Sequence, residues 1–171
     1  LPGAHQRRNA SLACALAEAL GAPLDLDALR SVQWPGRAER LGDVILDCAH
    51  NPPGAEALAA WLDEADLGPV HLIFGAMADK DVGPVAATLG PRVASVTLVT
   101  PDYPRRRAAA ELRAAFPERD VTVIDAVPEA LEARPRDRVT LVTGSCFLVG
   151  EARAWLTGQD FPELGLRTTA R

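Results

Sequence analysis

The sequence predicts an α/β protein built on a doubly wound, mainly parallel sheet with flanking helices. Five short apolar runs are rich in β-branched residues, and segments of helical length rich in alanine and leucine lie between them. The runs lack a clean alternation of apolar and polar residues, which is typical of strands covered on both faces. Strands and helices in this order favour right-handed crossovers, so we expect a Rossmann-like core.

The predicted elements alternate from residue 43 to residue 157. Valine, isoleucine and threonine favour strands over 43–47 (DVILD), 70–75 (VHLIFG), 95–99 (SVTLV), 121–124 (VTVI) and 139–143 (VTLVT). Alanine and leucine favour helices over 52–66, 81–89, 105–116, 126–134 and 145–157.

A different region precedes this alternation. Residues 5–20 (HQRRNASLACALAEAL) predict an amphipathic helix that ends at Gly21 and Pro23, and 25–32 predict a short helix that begins at Asp25. We therefore expect a single domain over 1–171: a helical segment over 1–33, an α/β core over 34–158 and a tail over 159–171.

Composition excludes some classes of function. Hydrophobic residues make up 48% and charged residues 24% of the 171 positions, and no apolar stretch approaches the roughly 20 residues of a membrane helix. The first residues do not resemble a signal peptide, so we expect a cytoplasmic protein that does not bind membranes. The net charge of −5 argues against a dedicated nucleic-acid binder.

Three residue types are scarce. The only methionine is Met77, so we expect the chain to be part of a longer protein. The only lysine is Lys80, within ADKD, so the chain contains no G-x-x-x-x-G-K-[ST] phosphate-binding loop. Cys14, Cys48 and Cys146 lack a C-x-x-C pair, which predicts small buried fillers rather than a zinc site or a disulfide framework. Reactive thiol chemistry at the second and third is the alternative, because both lie at predicted strand ends.

The stretch DVILDCAHNPPG (43–54) carries the clearest site signal. Ligands of open parallel sheets bind outside the carboxyl ends of the strands, where Asp47, His50 and Asn51 are predicted to lie. Asn51 has a structural interpretation as a helix N-cap, with Pro52 at the first helical position. Asp47 and His50 are candidates for a catalytic site, and the alternative is a surface Asp–His hydrogen bond that steadies the turn.

Two further loops are predicted at the same edge of the sheet. Thr143-Gly144-Ser145 leads from the last strand into a helix and can offer backbone donors and a hydroxyl to an anion, although Ser145 is also an ordinary N-cap. The turn GAMADKD (75–81) places Asp79, Lys80 and Asp81 after the second strand. Three polar loops on one edge predict a cleft.

The arginine run 105–107 is predicted at a helix N-terminus, where positive charge opposes the helix dipole at a cost of up to about 1 kcal/mol. Either acidic partners offset this charge or the run forms a solvated face, and we favour the solvated face.

Five motifs together resemble one known family. LPGAHQRRN (1–9), WPGRAE (34–39), DVILDCAHNPPGA (43–55), FGAMADKDV (74–82) and TGSCFLVGEAR (143–153) are similar, in order and spacing, to the carboxyl-terminal domain of folylpolyglutamate synthase/dihydrofolate synthase, of the Mur ligase superfamily. The D-x-A-H-N-P element is shared with Mur ligases generally, whereas H-Q-x-x-N and W-P-G-R together point to the folate branch.

The resemblance implies an ATP-dependent ligase. Such enzymes activate a carboxylate of dihydropteroate or folate as an acyl phosphate, which the amino group of L-glutamate attacks. The resemblance also implies that the phosphate-binding loop, the Mg²⁺ ligands and most of the folate site belong to an amino-terminal ATPase domain outside this chain. The chain alone is then expected to be inactive, and we expect no metal ligands in it.

The resemblance further implies roles for single residues. Gln6, Asn9 and Arg37 match positions that contact ATP, Asp47 and His50 match the motif pair near the nucleotide and the incoming glutamate, and Ser145 matches a glutamate contact. Three positions depart from the family pattern: Ala4 and Ala78 replace basic residues, and Cys48 replaces a common glycine. The first two remove positive charge, so phosphate contacts are expected to be fewer or to come from elsewhere.

Other classes fit the sequence less well. A stand-alone nucleotide-binding or interaction module of Rossmann-like fold is the alternative, but no G-x-G-x-x-G follows a predicted strand. A hydrolase is disfavoured because Gly144-Ser145 lacks the second glycine of G-x-S-x-G.

Overall fold

A computed structural model of the chain describes residues 2–159, which form a six-stranded, mostly parallel sheet with helices on both faces. The order of strands across the sheet is β1-β2-β6-β3-β4-β5, and only the β1–β2 pair is antiparallel. The strands are β1 (Glu39–Leu41), β2 (Val44–Leu46), β3 (Val70–Phe74), β4 (Val93–Leu98), β5 (Asp120–Val123) and β6 (Thr140–Thr143). The predicted fold class is confirmed.

Seven α-helices are described in residues 2–159. They are α1 (Ala4–Ala19), α2 (Leu26–Ser31), α3 (Pro52–Glu64), α4 (Gly83–Leu89), α5 (Ala109–Leu112), α6 (Val127–Ala133) and α7 (Cys146–Thr157). Asp25 caps α2 as predicted, because its side chain accepts from the N–H groups of Asp27 and Ala28. None of the described helices combines the length and the apolar character needed to cross a bilayer. The predicted tail falls almost wholly outside the described residues.

Both faces of the sheet are covered, which explains why the strand sequences do not alternate. Ile45 of β2 packs on the face covered by α3, α4 and α5, whereas its neighbours Val44 and Leu46 pack on the face covered by α6 and α7. Leu72 and Ile73 of β3 divide between the same two apolar layers. Every residue of β2, β3 and β6 is buried.

The edge strand β1 was not predicted. It pairs with β2 through a turn at Gly42-Asp43, where Gly42 has a φ of 64°. Three residues, two of them charged, carry too little apolar pattern to indicate a strand. A Gly-Asp pair before an apolar run is nevertheless a hairpin signal, and it could have located β1.

The predicted helix over 105–116 was wrong in its first half. α5 begins only at Ala109, whose N–H donates to Thr100 Oγ1 at 3.0 Å, and a 3₁₀ turn follows over Arg113–Ala115. Arg106 instead forms an isolated antiparallel bridge with Met77. Three arginines at a helix N-terminus would oppose the helix dipole, and backbone pairing with the loop after β3 removes that conflict.

Candidate functional site

Asp47 follows β2 at the carboxyl edge of the sheet, and its carboxylate hydrogen-bonds to the backbone before β1 and to the backbone after β2. Oδ2 accepts from the N–H of Ala38 and Oδ1 from the N–H of Ala49, both at 2.9 Å. Burial raises the pKa of Asp47 above the usual range of an aspartate, while these two N–H groups act in the opposite direction. Asp47 therefore holds the segment 34–38 against the end of β2.

His50 lies three residues further along and has separate partners. Its Nδ1–H donates a hydrogen bond to the carbonyl oxygen of Cys48 at 2.8 Å, so Nε2 is the acceptor nitrogen of the neutral ring. Asp47 and His50 bond to these backbone groups and not to each other, so the alternative of an Asp–His hydrogen bond is wrong. Asn51 caps α3 as predicted, since Oδ1 accepts from the N–H of Gly54 at 2.9 Å.

The segment 34–38 is also fixed from α7. Glu39 accepts from the N–H of Gly36 at 2.8 Å and pairs with Arg153 Nε at 2.9 Å, in a half-buried ion pair. Gly36 has a φ of 70°, and a Cβ there would lie 2.8 Å from Val149 Cγ1. The second and fifth motifs of the sequence are thus joined by one ion pair and by close packing, and sequence reasoning assigned neither role.

Two cavities open at this edge of the sheet and share His50 and Cys146. The larger, of about 250 Å³, is lined by His5, Gln6, Arg37, Asp47, His50 and Asn51 among others. The smaller, of about 160 Å³, is lined by His50, Asp79, Lys80, Arg105, Ser145 and Phe147 among others. We call the two together the rim cleft.

The loop after β3 is held in the rim cleft by the arginine run. Arg107 donates through Nη2 to the carbonyl oxygens of Ala78 and Lys80, at 2.7 and 2.9 Å. Arg105 lies in the wall of the smaller cavity, with its guanidinium 5.9 Å from the ring centre of Tyr103. The expectation that the whole run is a solvated face is wrong for Arg107, which is partly buried on backbone carbonyls.

The predicted site residues mostly come together. Gln6, Arg37, Asp47 and His50 line the larger cavity, and His50 and Ser145 line the smaller. Asn9 is exposed and reaches the cleft only through Gln6, whose Oε1 accepts from Asn9 Nδ2 at 3.2 Å. Ser145 is buried, and its Oγ accepts from the N–H of Phe147 as the N-cap of α7.

Two cleft residues were missed or misjudged from the sequence. Arg105 stood in a run interpreted as a solvated face, and only its backbone pairing to the loop after β3 turns it toward the cleft. Cys146 is exposed, contrary to the prediction of a buried filler, because it is the first residue of α7 at the mouth of both cavities.

The donor set of the rim cleft suits an anionic ligand. Arg37, Lys80 and Arg105 offer positive charge, and the amino ends of α3 and α7 point to the same edge of the sheet. Within residues 2–159, no group of three or more His, Cys, Asp or Glu side chains is arranged to hold a metal ion.

A Rossmann-like sheet with a cleft at its carboxyl edge defines the class of this protein as an α/β domain of the kind that binds ligands at that edge. A model of one family, described as "Mur ligase, glutamate ligase domain", matches residues 36–146. The match covers more than half of the chain, and the chain belongs to that family.

Individual relatives and solved structures show which members of this family the chain is similar to. The chain is 39% identical to a "Probable bifunctional folylpolyglutamate synthase/dihydropteroate synthase" of Haloferax volcanii, over 95% of this chain and 21% of the relative. It matches a Mycobacterium tuberculosis folylpolyglutamate synthase complexed with ADP and AMPPCP, with a TM-score of 0.80 and 34% identity over 94% of this chain and 41% of that one.

A third likeness is to E. coli FolC in complex with DHPP and ADP. Its TM-score is 0.78 at 27% identity, over 88% of this chain and 39% of that one. The chain therefore spans about a fifth to two fifths of the length of these proteins. The predicted resemblance to the folate branch is confirmed.

Proposed function

We propose that this chain is the carboxyl-terminal domain of an ATP-dependent ligase that joins L-glutamate to dihydropteroate or folate through an acyl phosphate. The observation that carries the proposal is the rim cleft, where residues of all five family motifs meet around His50. The chain supplies contacts to the nucleotide and to glutamate, whereas the phosphate-binding loop and the Mg²⁺ ligands belong to a separate amino-terminal ATPase domain.

The larger cavity is proposed to hold part of the nucleotide. Arg37 is exposed beside it, and a guanidinium binds phosphate oxygens through two parallel N–H bonds. Gln6 is buried in the wall with a side chain that can donate and accept, and Asn9 holds it there. Asp47 acts mainly by fixing the segment that carries Arg37.

The smaller cavity is proposed to hold L-glutamate. Lys80 and Arg105 suit the two carboxylates of this amino acid, and Ser145 at the amino end of α7 adds a hydroxyl. His50 lies between the two cavities with Nε2 available as an acceptor. It can accept a hydrogen bond from the glutamate amino group and orient that group toward the nucleotide side.

The ligase proposal is tested with the full-length protein, by measuring ATP-dependent transfer of labelled glutamate to dihydropteroate and to folate. Arg37→Ala should raise KM for ATP about tenfold, because a charged hydrogen bond contributes roughly 1.5–3 kcal/mol. His50→Ala should lower kcat/KM for glutamate about 100-fold, within the range expected for a positioned proton acceptor.

Arg113→Ala is the matched control, since Arg113 is exposed and its Nη1 bonds only to the carbonyl oxygen of Val121, away from the rim cleft. Control and site variants should have the same circular dichroism. Near-normal turnover in both Arg37→Ala and His50→Ala would overturn the assignment of the cleft. Binding of ATP without any glutamate transfer by the unmodified protein would favour the alternative of a nucleotide-binding module.

A further inference from the structure

Cys48 and Cys146 lie together at the point where the two cavities of the rim cleft meet. Cys146 Sγ is 3.9 Å from the carbonyl oxygen of Cys48 and 3.9 Å from His50 Nδ1. Both cysteines also line the larger cavity of the rim cleft. These residues are 98 positions apart in the chain, so the tertiary structure alone brings them together.

The backbone holds the two thiols in this arrangement. The carbonyl oxygen of Ala49, next to Cys48, accepts from both Thr143 Oγ1 and the N–H of Gly144, at 3.1 and 3.0 Å. The N–H of Cys48 donates to the carbonyl oxygen of Gly36 at 2.8 Å. These bonds hold the end of β2 beside the loop that leads into α7, so that Cys146 Sγ reaches within 3.9 Å of the backbone of Cys48.

The environment makes the two thiols unequal. Cys146 is exposed at the first position of the 12-residue helix α7, where the N-terminal dipole favours a thiolate. An interaction with the Cys48 thiol, together with the neighbouring His50, lowers the pKa of Cys146 to about 6. The same interaction and burial raise the pKa of the Cys48 thiol.

We propose that Cys48 and Cys146 form a reversible disulfide when the protein meets a hydroperoxide, with Cys146 as the reacting thiolate and Cys48 as the resolving thiol. The pair lies within the rim cleft, but its oxidation does not depend on the proposed ligase function. Its basis is one exposed thiol at a helix N-terminus, a second cysteine whose backbone that thiol reaches, and a histidine that contacts the first thiol and the carbonyl oxygen of the second cysteine.

The reaction balances with hydrogen peroxide as the oxidant. The Cys146 thiolate attacks one peroxide oxygen, so that an S–O bond forms, the O–O bond breaks, and the departing hydroxide takes up a proton to become water. Cys48 then loses its proton and attacks the oxidised sulfur, so that the S–S bond forms, the S–O bond breaks and a second water leaves. The two thiols lose two electrons and two protons, and the peroxide gains both.

The three cysteines are easily distinguished after trypsin digestion. Cleavage after arginine and lysine places Cys14 in the peptide 9–30, Cys48 in 41–80 and Cys146 in 139–153. The full-length protein is treated with hydrogen peroxide at one to ten equivalents, alkylated, digested and analysed by mass spectrometry. Cys14 on α1 serves as the internal control thiol.

The expected product is a cross-linked 41–80/139–153 peptide, 2 Da lighter than the sum of the two reduced peptides, that disappears with dithiothreitol while Cys14 stays alkylated. In Cys48→Ser, dimedone should label Cys146 as a sulfenic acid. In Cys146→Ser, an exposed change that leaves the core intact, Cys48 should stay reduced. Loss of Cys146 without the cross-link, or oxidation of Cys14 at the same rate, would overturn the proposal.

A pH profile separates a reactive pair from two thiols that merely pack. Alkylation of Cys146 should be half-maximal near pH 6, and Cys48→Ala should move that midpoint upward, because alanine removes the thiol donor. The other titratable groups that line the two cavities with Cys146 are His5, Arg37, Asp47, His50, Asp79, Lys80 and Arg105, and they remain in the variant. An unchanged midpoint in Cys48→Ala would contradict the interaction between the two thiols.

Discussion

Gly144 lies where the loops after β3 and β6 approach most closely. Its φ is 108°, and a Cβ at this position would lie 2.6 Å from the carbonyl oxygen of Gly75 and 2.6 Å from Phe74 Cε2. Both loops carry cleft residues: Lys80 lies in the loop after β3, and Ser145 lies in the loop after β6. The absence of a side chain at Gly144 therefore sets the width of the smaller cavity.

We expect Gly144→Ala to destabilise the chain and to push the two loops apart. Gly68→Ala is the matched control, because Gly68 also has a positive φ, of 65°, but a Cβ there would meet nothing within 4 Å. Both variants place a Cβ at a positive φ, so the difference between them reports the close contacts at Gly144 together with the larger strain of its φ of 108°. Urea unfolding should show Gly144→Ala less stable than the control by about 2 kcal/mol or more. Equal losses would contradict the close approach.

Asp47, a candidate site residue from the sequence, binds backbone groups of the chain in the structure. Its carboxylate is half-buried and accepts two backbone N–H bonds, one from Ala38 and one from Ala49. A carboxylate in this position orients the segment 34–38, which carries Arg37. Its contribution to function is therefore proposed to be positional, whereas Arg37 and His50 face the cavity directly.

At the scale of elements, β3 and β4 are joined by a buried polar contact as well as by backbone pairing. His71 Nδ1 lies 2.8 Å from Ser95 Oγ, and His71 Nε2 lies 3.2 Å from Thr97 Oγ1. Burial lowers the pKa of His71 to about 4, so the ring is neutral at pH 7. The two hydroxyls satisfy both ring nitrogens without a charge.

We expect His71 to make the stability of the chain depend on pH. Because the pKa is lower in the folded chain than the ordinary value of 6.5, the unfolded chain binds the extra proton between these values. Above pH 6.5 the ring is neutral in both states, so His71 does not reduce the free energy of unfolding. As the pH falls from 6.5 toward 4, protonation of the unfolded chain lowers that free energy progressively. Between pH 6.5 and pH 5, the free energy of unfolding should decrease by about 2 kcal/mol.

The control for this effect is His71→Gln, which keeps polar atoms in the β3–β4 contact but does not titrate. Urea unfolding at pH 6.5, 5.8 and 5.0 should show a slope in the unmodified chain and little slope in the variant. Carboxylates titrate mainly below this window, so they affect both chains alike. A variant that keeps the full slope would contradict the role of His71.

At the scale of the whole molecule, the region before the sheet carries an exposed apolar stripe. Leu12, Leu16 and Leu20 of the α1 region are 61%, 55% and 82% exposed and recur every four residues along one face. Leu24, Leu26 and Trp34, which follow in the chain, are also exposed. A surface of this kind marks an interaction site, and the matched proteins are longer than this chain.

We propose that the amino-terminal part of the full-length protein packs on this stripe. This proposal rests on the proposed ligase function. Leu12→Ser combined with Leu16→Ser should change the free energy of unfolding of this chain by less than about 0.5 kcal/mol, since both side chains are exposed. In the full-length protein, the same pair should lower glutamate transfer and expose the interdomain region to limited proteolysis.

Val123→Ser is the control for the stripe, because Val123 is 38% exposed on the edge strand β5, away from α1. It should leave glutamate transfer and proteolysis unchanged. Full activity and an unaltered cleavage pattern in the double leucine variant would show that the stripe does not pack on the rest of the protein.

The sequence by itself determined the succession of strands β2 to β6 along the chain and of the helices between them, the burial of both sheet faces and the edge at which Asp47, His50 and Ser145 gather. These follow from local patterns: apolar runs, caps such as Asn51, and the rule that ligands bind at the carboxyl ends of parallel strands. The family likeness extended this to Gln6, Asn9 and Arg37, whose roles remain predictions.

Only the tertiary structure decided which distant residues touch. The Glu39–Arg153 ion pair, the Cys48–Cys146 contact and the bonds from Arg107 to the loop after β3 join positions that no local pattern relates. A long-range contact also explains why α5 begins only at Ala109. Backbone pairing of Arg106 with Met77 uses backbone groups that a longer helix would have needed for its own hydrogen bonds. Long-range contacts depend on strand order and loop packing, and neither is encoded in the periodicity of a single segment.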